Sequence, residues 1–318
     1  MRTLRWLSVV AAALAFVVIV VGAYVRLSDA GLGCPDWPFC YGKPVPAAMA
    51  DAAAHGKAWK EMGHRYLAGS LGLVILGLAL LAFAGKKYRR LSSAIVLLVL
   101  FQATLGMWTV TMLLKPAIVT SHLLGGMAIF ALLIWLALSQ FPFGAAPQAR
   151  ALSAYAALAL AAMVLQVALG GWVSANYAAL ACPDLPGCRG EALPTMDFAN
   201  AFHVFRELGR TGEGDLLPLD ALVAIHWTHR MFALAVFAAV SLAAWKAFAV
   251  EGLRGLAGLV VGLLVLQISL CVANVALGLP LPLAAAHNAG AALLLGALIV
   301  LNFFAFRGLR PSSEHPGS

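Results

Sequence analysis

Eight stretches of this chain are each long and apolar enough to cross a bilayer, and they constrain its fold more than any other feature. A transmembrane helix needs about 20 mostly apolar residues. The stretches fall at 6–25, 63–84, 92–113, 117–139, 151–174, 222–248, 255–277 and 283–306. Lipid offers backbone groups no partner, so each span must satisfy its own hydrogen bonds as a helix. The expected fold class is an all-α integral membrane protein with eight transmembrane helices. Only 11% of the residues are charged, against about a quarter in a soluble domain. Soluble enzymes, disordered scaffolds and DNA-binding modules are thereby excluded.

The net charge of +8 would suggest a nucleic-acid partner in a soluble chain. Here it sorts by topology. With the N-terminus in the cytoplasm, the inner side carries Arg2, Arg5, Lys86, Lys87, Arg89, Arg90, Arg150, Lys246, Arg254, Arg307 and Arg310 against Glu251 and Glu314, a net of +9. The outer side nets −1. This bias obeys the positive-inside rule, with both termini cytoplasmic. The basic start Arg2–Arg5 resembles a signal peptide, but its apolar run is too long and lacks a clear cleavage site, so the first helix is expected to stay. Two long loops, about 26–62 and 175–221, then face outward, where long loops usually carry function.

The chain repeats itself. Gly22-Ala23-Tyr24-Val25 leading to Cys34-Pro35-Asp36-Trp37-Pro38-Phe39-Cys40 reappears as Gly170-Gly171-Trp172-Val173 leading to Cys182-Pro183-Asp184-Leu185-Pro186-Gly187-Cys188, offset by 148. His64-Arg65, Gln102 and His122 reappear as His229-Arg230, Gln267 and His287, offset by 165. An insertion of 17 residues in the second outer loop accounts for the difference. Two tandem four-helix bundles are expected, 1–140 and 141–318, related by a pseudo-two-fold axis along the membrane normal.

His64, His122, His229 and His287 lie on spans 2, 4, 6 and 8. Each stands roughly 24–32 Å from the inner end of its helix at about 1.5 Å per residue, which puts all four at one depth in the outer leaflet. An ionisable residue inside a span is a functional hypothesis by default. Two histidines on different helices at equal depth can bind the two axial faces of a haem iron, so each half would hold one bis-histidine haem. Plain interhelical hydrogen bonding is the bland alternative, and zinc, which favours three or four ligands at one point, is another. Arg65 and Arg230 each follow a ligand histidine and could pair with haem propionates or snorkel to water. His55, His203 and His315 read as solvated.

Cys34 with Cys40 and Cys182 with Cys188 each close a short loop on the oxidising side, so two intra-loop disulfides are expected. A structural and a redox-active role for the first pair both stay open. Cys271 reads as a buried apolar residue. The halves differ at one telling place. Glu61 precedes His64 by three residues, on the same helix face, whereas the second half has His226 there. Glu61 could accept a proton or stabilise developing positive charge at a haem edge, or merely pair with Arg65 along the helix. His226 could handle protons or be an ordinary histidine at a helix start.

The sequence resembles the haem A synthase family of respiratory membranes. The resemblance is carried by Gly31-Leu32-Gly33-Cys34-Pro35-Asp36-Trp37-Pro38 with Cys40, Glu61-Met62-Gly63-His64-Arg65, Thr120-Ser121-His122, His229-Arg230 and His287-Asn288, over about residues 5–306. It implies oxidation of the C8 methyl of haem O to the formyl group of haem A, through successive hydroxylations and loss of water, as part of cytochrome oxidase assembly. It also implies that His64 and His122 hold the substrate haem, that Glu61 is needed for the oxidation, and that His229 and His287 bind a haem b cofactor. Expected partners are haem O, the farnesyltransferase that makes it and an electron carrier; a homo-oligomer stays open. No Arg- and Ser-rich presequence stands out, so a bacterial cytoplasmic membrane is expected. A di-haem b electron-transfer protein or quinol oxidoreductase is the main alternative. A transporter, whose site would lie nearer mid-membrane, is the other.

Overall fold

The computed structural model describes residues 2–46 and 51–311; Glu314 and His315 lie outside them. The described residues form α1 (Arg2–Leu27), α2 (Ala52–Ala84), α3 (Arg89–Thr111), α4 (Pro116–Leu138), α5 (Ser153–Ala175), the single turn α6 (Phe198–Ala201), α7 (Leu219–Phe248), α8 (Arg254–Ala276) and α9 (Leu281–Arg307). All except α6 are long and apolar enough to cross a membrane. A two-residue ribbon pairs β1 (Gly144–Ala145) antiparallel with β2 (Leu309–Arg310).

Hydropathy located every span but misjudged polar ends. Helix α2 starts at Ala52 rather than 63, capped by Asp51, whose carboxylate accepts the Ala53 N–H at 2.8 Å. Its early turns carry Lys57, Lys60 and Glu61, which lower hydropathy without breaking a helix. The first outer stretch therefore ends before Ala52 rather than at 62, and the second is 176–218 rather than 175–221. Both Glu61 and His64 thus sit on one continuous helix.

Helix α1 packs on α2 and α4, and α3 packs on the same two, so the first four helices close a ring. Helices α5, α7, α8 and α9 close a second ring in the same manner. The rings meet through α4 against α5 and α9, and through α9 against α1. One hydrophobic core draws on all eight long helices. Lipid tails are as apolar as leucine, so close packing and interhelical hydrogen bonds must hold such helices together. Helices α5 and α7 pack along each other and both contribute fully buried alanines, among them Ala156, Ala159, Ala243 and Ala244. Asn302 of α9 donates to the Ala156 carbonyl at 2.9 Å. Between the ends of α1 and α5, Arg26 donates to the Ser174 carbonyl at 2.8 Å, and the Tyr177 hydroxyl donates to the Asp29 carboxylate at 2.8 Å.

Both predicted disulfides are present, Cys34–Cys40 and Cys182–Cys188. The aspartate of each Cys-Pro-Asp motif shapes its loop. Asp36 accepts the backbone N–H groups of Tyr41 at 2.6 Å and Gly42 at 2.7 Å. Asp184 does the same for Arg189 at 2.5 Å and Gly190 at 2.7 Å. Tyr41, Gly42, Arg189 and Gly190 all have positive φ, so the carboxylates hold a turn that side chains other than glycine disfavour. The first loop presses on α2: a Cβ on Gly33 would fall 2.6–2.8 Å from backbone atoms of Lys57 and Ala58.

Two outcomes follow. Gly33→Ala is expected to lift the first loop from α2 at a cost of about 1–3 kcal/mol, read as faster proteolysis between 28 and 46 with helical circular dichroism unchanged; undiminished protection would refute the close approach. The N–H bonds, with Arg65 and Arg230 nearby, hold the Asp36 and Asp184 carboxyls below the usual carboxylate range. Their contribution is complete above about pH 4 and is lost as pH falls through the lower folded values. Loop protection should therefore be flat from neutral pH to about pH 5 and drop only in stronger acid.

Candidate functional site

The four predicted histidines fall on α2, α4, α7 and α9, all half-buried. His122 is within electrostatic reach of His64, and His229 within reach of His287. Glycines make room for the rings. A Cβ on Gly22 of α1 would sit 2.7 Å from the His64 ring, one on Gly106 of α3 would sit 3.1 Å from the His122 ring, and one on Gly170 of α5 would sit 3.0 Å from the His229 ring. At the repeat position of Gly106 the second half has Cys271, a free, half-buried thiol rather than the buried apolar residue expected from sequence.

The pairs differ in what touches their nitrogens. Nδ1 of His64 and Nδ1 of His122 are buried without a hydrogen-bond partner. In the second pair an amide reaches each ring. The Gln166 Nε2 lies 3.3 and 3.4 Å from the ring nitrogens of His229 and donates to its carbonyl at 3.1 Å. Gln267 treats His287 alike, at 3.2 and 3.4 Å from the ring and 3.1 Å from the carbonyl. Gln102, the repeat mate of Gln267, donates to the His122 carbonyl at 2.6 Å. Gln166 has no counterpart, since Val18 stands at its offset. Sequence reasoning missed it for that reason, whereas Gly22 and Gly170 were visible within the repeat.

Half-buried imidazoles on alternate helices, with glycine beside the rings of His64, His122 and His229, suit a bis-histidine haem. No group of three or more His, Cys, Asp or Glu side chains is arranged to hold a metal ion among the described residues.

Glu61 is only 4% exposed and is the one buried acidic residue among the described residues. Its carboxylate accepts the Cys34 backbone N–H at 2.8 Å and forms a short ion pair with Arg65, so the helix pairing weighed from sequence is present. Arg65 also donates to the carbonyls of Asp36 at 2.8 Å and Phe39 at 2.7 Å. The second half rebuilds this clamp with neutral chemistry. Arg230 donates to His226 Nε2 at 3.2 Å and to the carbonyls of Cys182, Asp184 and Gly187 at 2.8–2.9 Å. His226 therefore anchors an arginine, as Glu61 does. Each arginine ties a disulfide loop to the helix that bears a histidine.

The remaining described histidines, His55 and His203, lie outside both pairs. His55 accepts from Trp59 Nε1 at 3.1 Å, and His203 packs within the second loop near Gly212.

The family model described as COX15-CtaA, cytochrome oxidase assembly protein, matches residues 5–299. A haem A synthase from Shewanella oneidensis is 42% identical over 95% of this chain and 96% of that protein. Haem A synthases from Rhizorhabdus wittichii and from a Caulobacter species are 28% and 29% identical, over 93% and 96% of the chain and 91% and 96% of those proteins. With a match spanning both histidine pairs and both loops, the chain belongs to the COX15-CtaA family of cytochrome oxidase assembly proteins.

Proposed function

We propose that this chain is a haem A synthase, a membrane oxidoreductase that converts the C8 methyl of haem O to a formyl group by successive hydroxylations. The observation that carries the reading is the asymmetry at Glu61. Two similar histidine pairs differ in that one alone has a buried carboxylate, one turn from a ligand histidine.

In this reading His64 and His122 hold the substrate haem through their rings, whose Nδ1 atoms have no hydrogen-bond partner in the protein. His229 and His287 hold haem b, which when bound supplies one-electron chemistry. Gln166 and Gln267 donate to the backbone carbonyls of that second pair's histidines and lie beside their rings, a contact that the His64 ring lacks. Turning a methyl into a formyl group releases protons as well as electrons. In this reading Glu61, buried beside Arg65 and one turn from His64, accepts the protons. Propionate pairing by Arg65 and Arg230 falls to the N–H groups not already given to loop carbonyls.

The matched packing of the two helix rings and the matched disulfide loops support two tandem halves, 1–140 and 141–318, about a two-fold axis along the membrane normal. The charge distribution supports cytoplasmic termini and haem sites toward the outer face of a bacterial cytoplasmic membrane. The farnesyltransferase that makes haem O and an electron carrier complete the proposed setting.

The deciding experiment is the haem composition of cells making this chain together with a haem O source. Haem A, or its hydroxylated precursor, should appear with the intact chain. Bound haem b with haem O untouched would instead favour a di-haem electron carrier. Glu61→Gln should retain bound haem while haem A formation drops by about two orders of magnitude or more; normal haem A output would remove Glu61 from the chemistry. His229→Ala should strip haem b from the purified protein. Gln166→Leu, leaving both ligands in place, should lower haem b retention by about 10–100-fold, and full retention would deny it a positioning role.

A further inference from the structure

The end of the bundle that bears the chain termini contains a cavity of about 370 Å³, lined among others by Arg5, Lys87, Tyr88, Ser139, Gln140 and Phe141. The cavity lies where α1 begins, α2 turns into α3 and α4 ends. It is separated from the histidines by most of a span, since His64 stands roughly 30 Å up α2 from this end.

Its chemistry is unbalanced. Neither Arg5 nor Lys87 has a carboxylate within ion-pair distance among the described residues. The Arg5 guanidinium lies over the Phe141 ring, 4.9 Å from its centroid, and its Nε is buried without a hydrogen-bond partner. A buried donor on a cation is costly unless an acceptor, best an anionic one, meets it. No neighbouring side chain meets it, although Gln140 Oε1 in the same lining is an acceptor that has no partner either. The Tyr88 hydroxyl donates to the Ser139 carbonyl at 2.6 Å, and the Gln140 amide nitrogen serves Ser8 at 2.9 Å and the Leu136 carbonyl at 3.0 Å.

The second half fills the corresponding place with its own chain. The repeat position of Lys87 is Gly252, and the Arg310 side chain of β2 lies across it, 3.0 Å from where a Cβ would stand. Arg310 has its own acid there, pairing with Glu251 at 2.8 Å. One half thus closes this corner with a neutralised pair, and the other leaves two cations around a cavity.

We propose that this cavity binds the phosphate of an anionic phospholipid headgroup, with Arg5 and Lys87 as the recognising cations and Phe141 as the apolar wall. Basic pockets between transmembrane helices near the membrane surface suit anionic headgroups. The volume lies at the low end of small-molecule pockets, about 300–1,000 Å³, and suits a headgroup rather than a porphyrin. Trp6, next to Arg5, is 54% exposed and meets Phe141 edge-on at 6.2 Å. Tryptophan collects at headgroup depth, which puts the cavity at the level where lipid phosphates lie and favours a lipid over a free anion.

The test uses the full-length protein, delipidated in detergent and titrated with phosphatidylglycerol, phosphatidylcholine or inorganic phosphate. Binding is read by native mass spectrometry and by the unfolding temperature. Phosphatidylglycerol should be retained and stabilising, phosphatidylcholine should not, and inorganic phosphate should neither stabilise nor displace the lipid. Arg5→Gln with Lys87→Gln should weaken phosphatidylglycerol binding by about thirty-fold, with haem content and elution unchanged, while Arg5→Lys with Lys87→Arg should keep it. If the double variant does not fold, the exposed Lys87→Gln alone decides, with about a five-fold loss expected. Equal binding of both lipids, undiminished binding by the folded charge-removed variant, or stabilisation by phosphate that displaces the lipid would each overturn the proposal.

Discussion

An arginine directly after a histidine holds this molecule's functional end together. Arg65 and Arg230 each reach back one turn to a buried acceptor and outward to carbonyls of a disulfide loop. Loop carbonyls near a membrane surface have few other partners, and a planar guanidinium can satisfy several at once. The loop is thereby fixed to the same helix turn that presents the histidine. Loop position and the burial of Glu61 are consequences of one shared donor set, so neither can shift alone.

In the proposed reading the same scaffold serves two purposes, and a few exchanges beside the histidines mark the difference. Where the first half places a carboxylate beneath the arginine, the second places an imidazole of similar reach. Where the second half holds a ring with Gln166, the first has Val18. Glycine walls the His122 ring, whereas the second half has Cys271 at that repeat position. On that reading these exchanges divide labour between a site with a proton acceptor and a site with amides beside its rings.

The bilayer made much of this fold legible. Spans must be apolar, so their number followed from sequence, and a histidine at matched depth on alternate spans stood out against that background. Helix α2 escaped where lipid no longer dictates composition, since Lys57, Lys60 and Glu61 are good helix formers that hydropathy ignores. The repeat exposed the histidines, cysteines and glycines because it preserved them; it concealed Gln166, which breaks it. Arg65 and His226 were visible as residues, but their use was not. Whether a guanidinium faces a ligand, water or a loop depends on where Asp36 folds the loop, and that turn is set by hydrogen bonds between residues 36, 41 and 42 rather than by any local propensity.

Asp29 and Tyr177 occupy the same place in the two copies, 148 residues apart, and hydrogen-bond to each other. In the proposed two-fold arrangement such a contact lies at the axis. A dimer of identical chains would have to set the same side chain against itself there: two carboxylates would repel, and two tyrosine hydroxyls, each able to donate and accept, would lack the stronger carboxylate acceptor that Asp29 supplies. Joining the copies in one polypeptide removes that obligation and lets a donor meet an acceptor. The seam is therefore sided: the first copy fits the second better than either fits itself. A chain cut between α4 and α5 should reassemble as a mixed pair of fragments, and neither fragment should replace its partner with a second copy of itself.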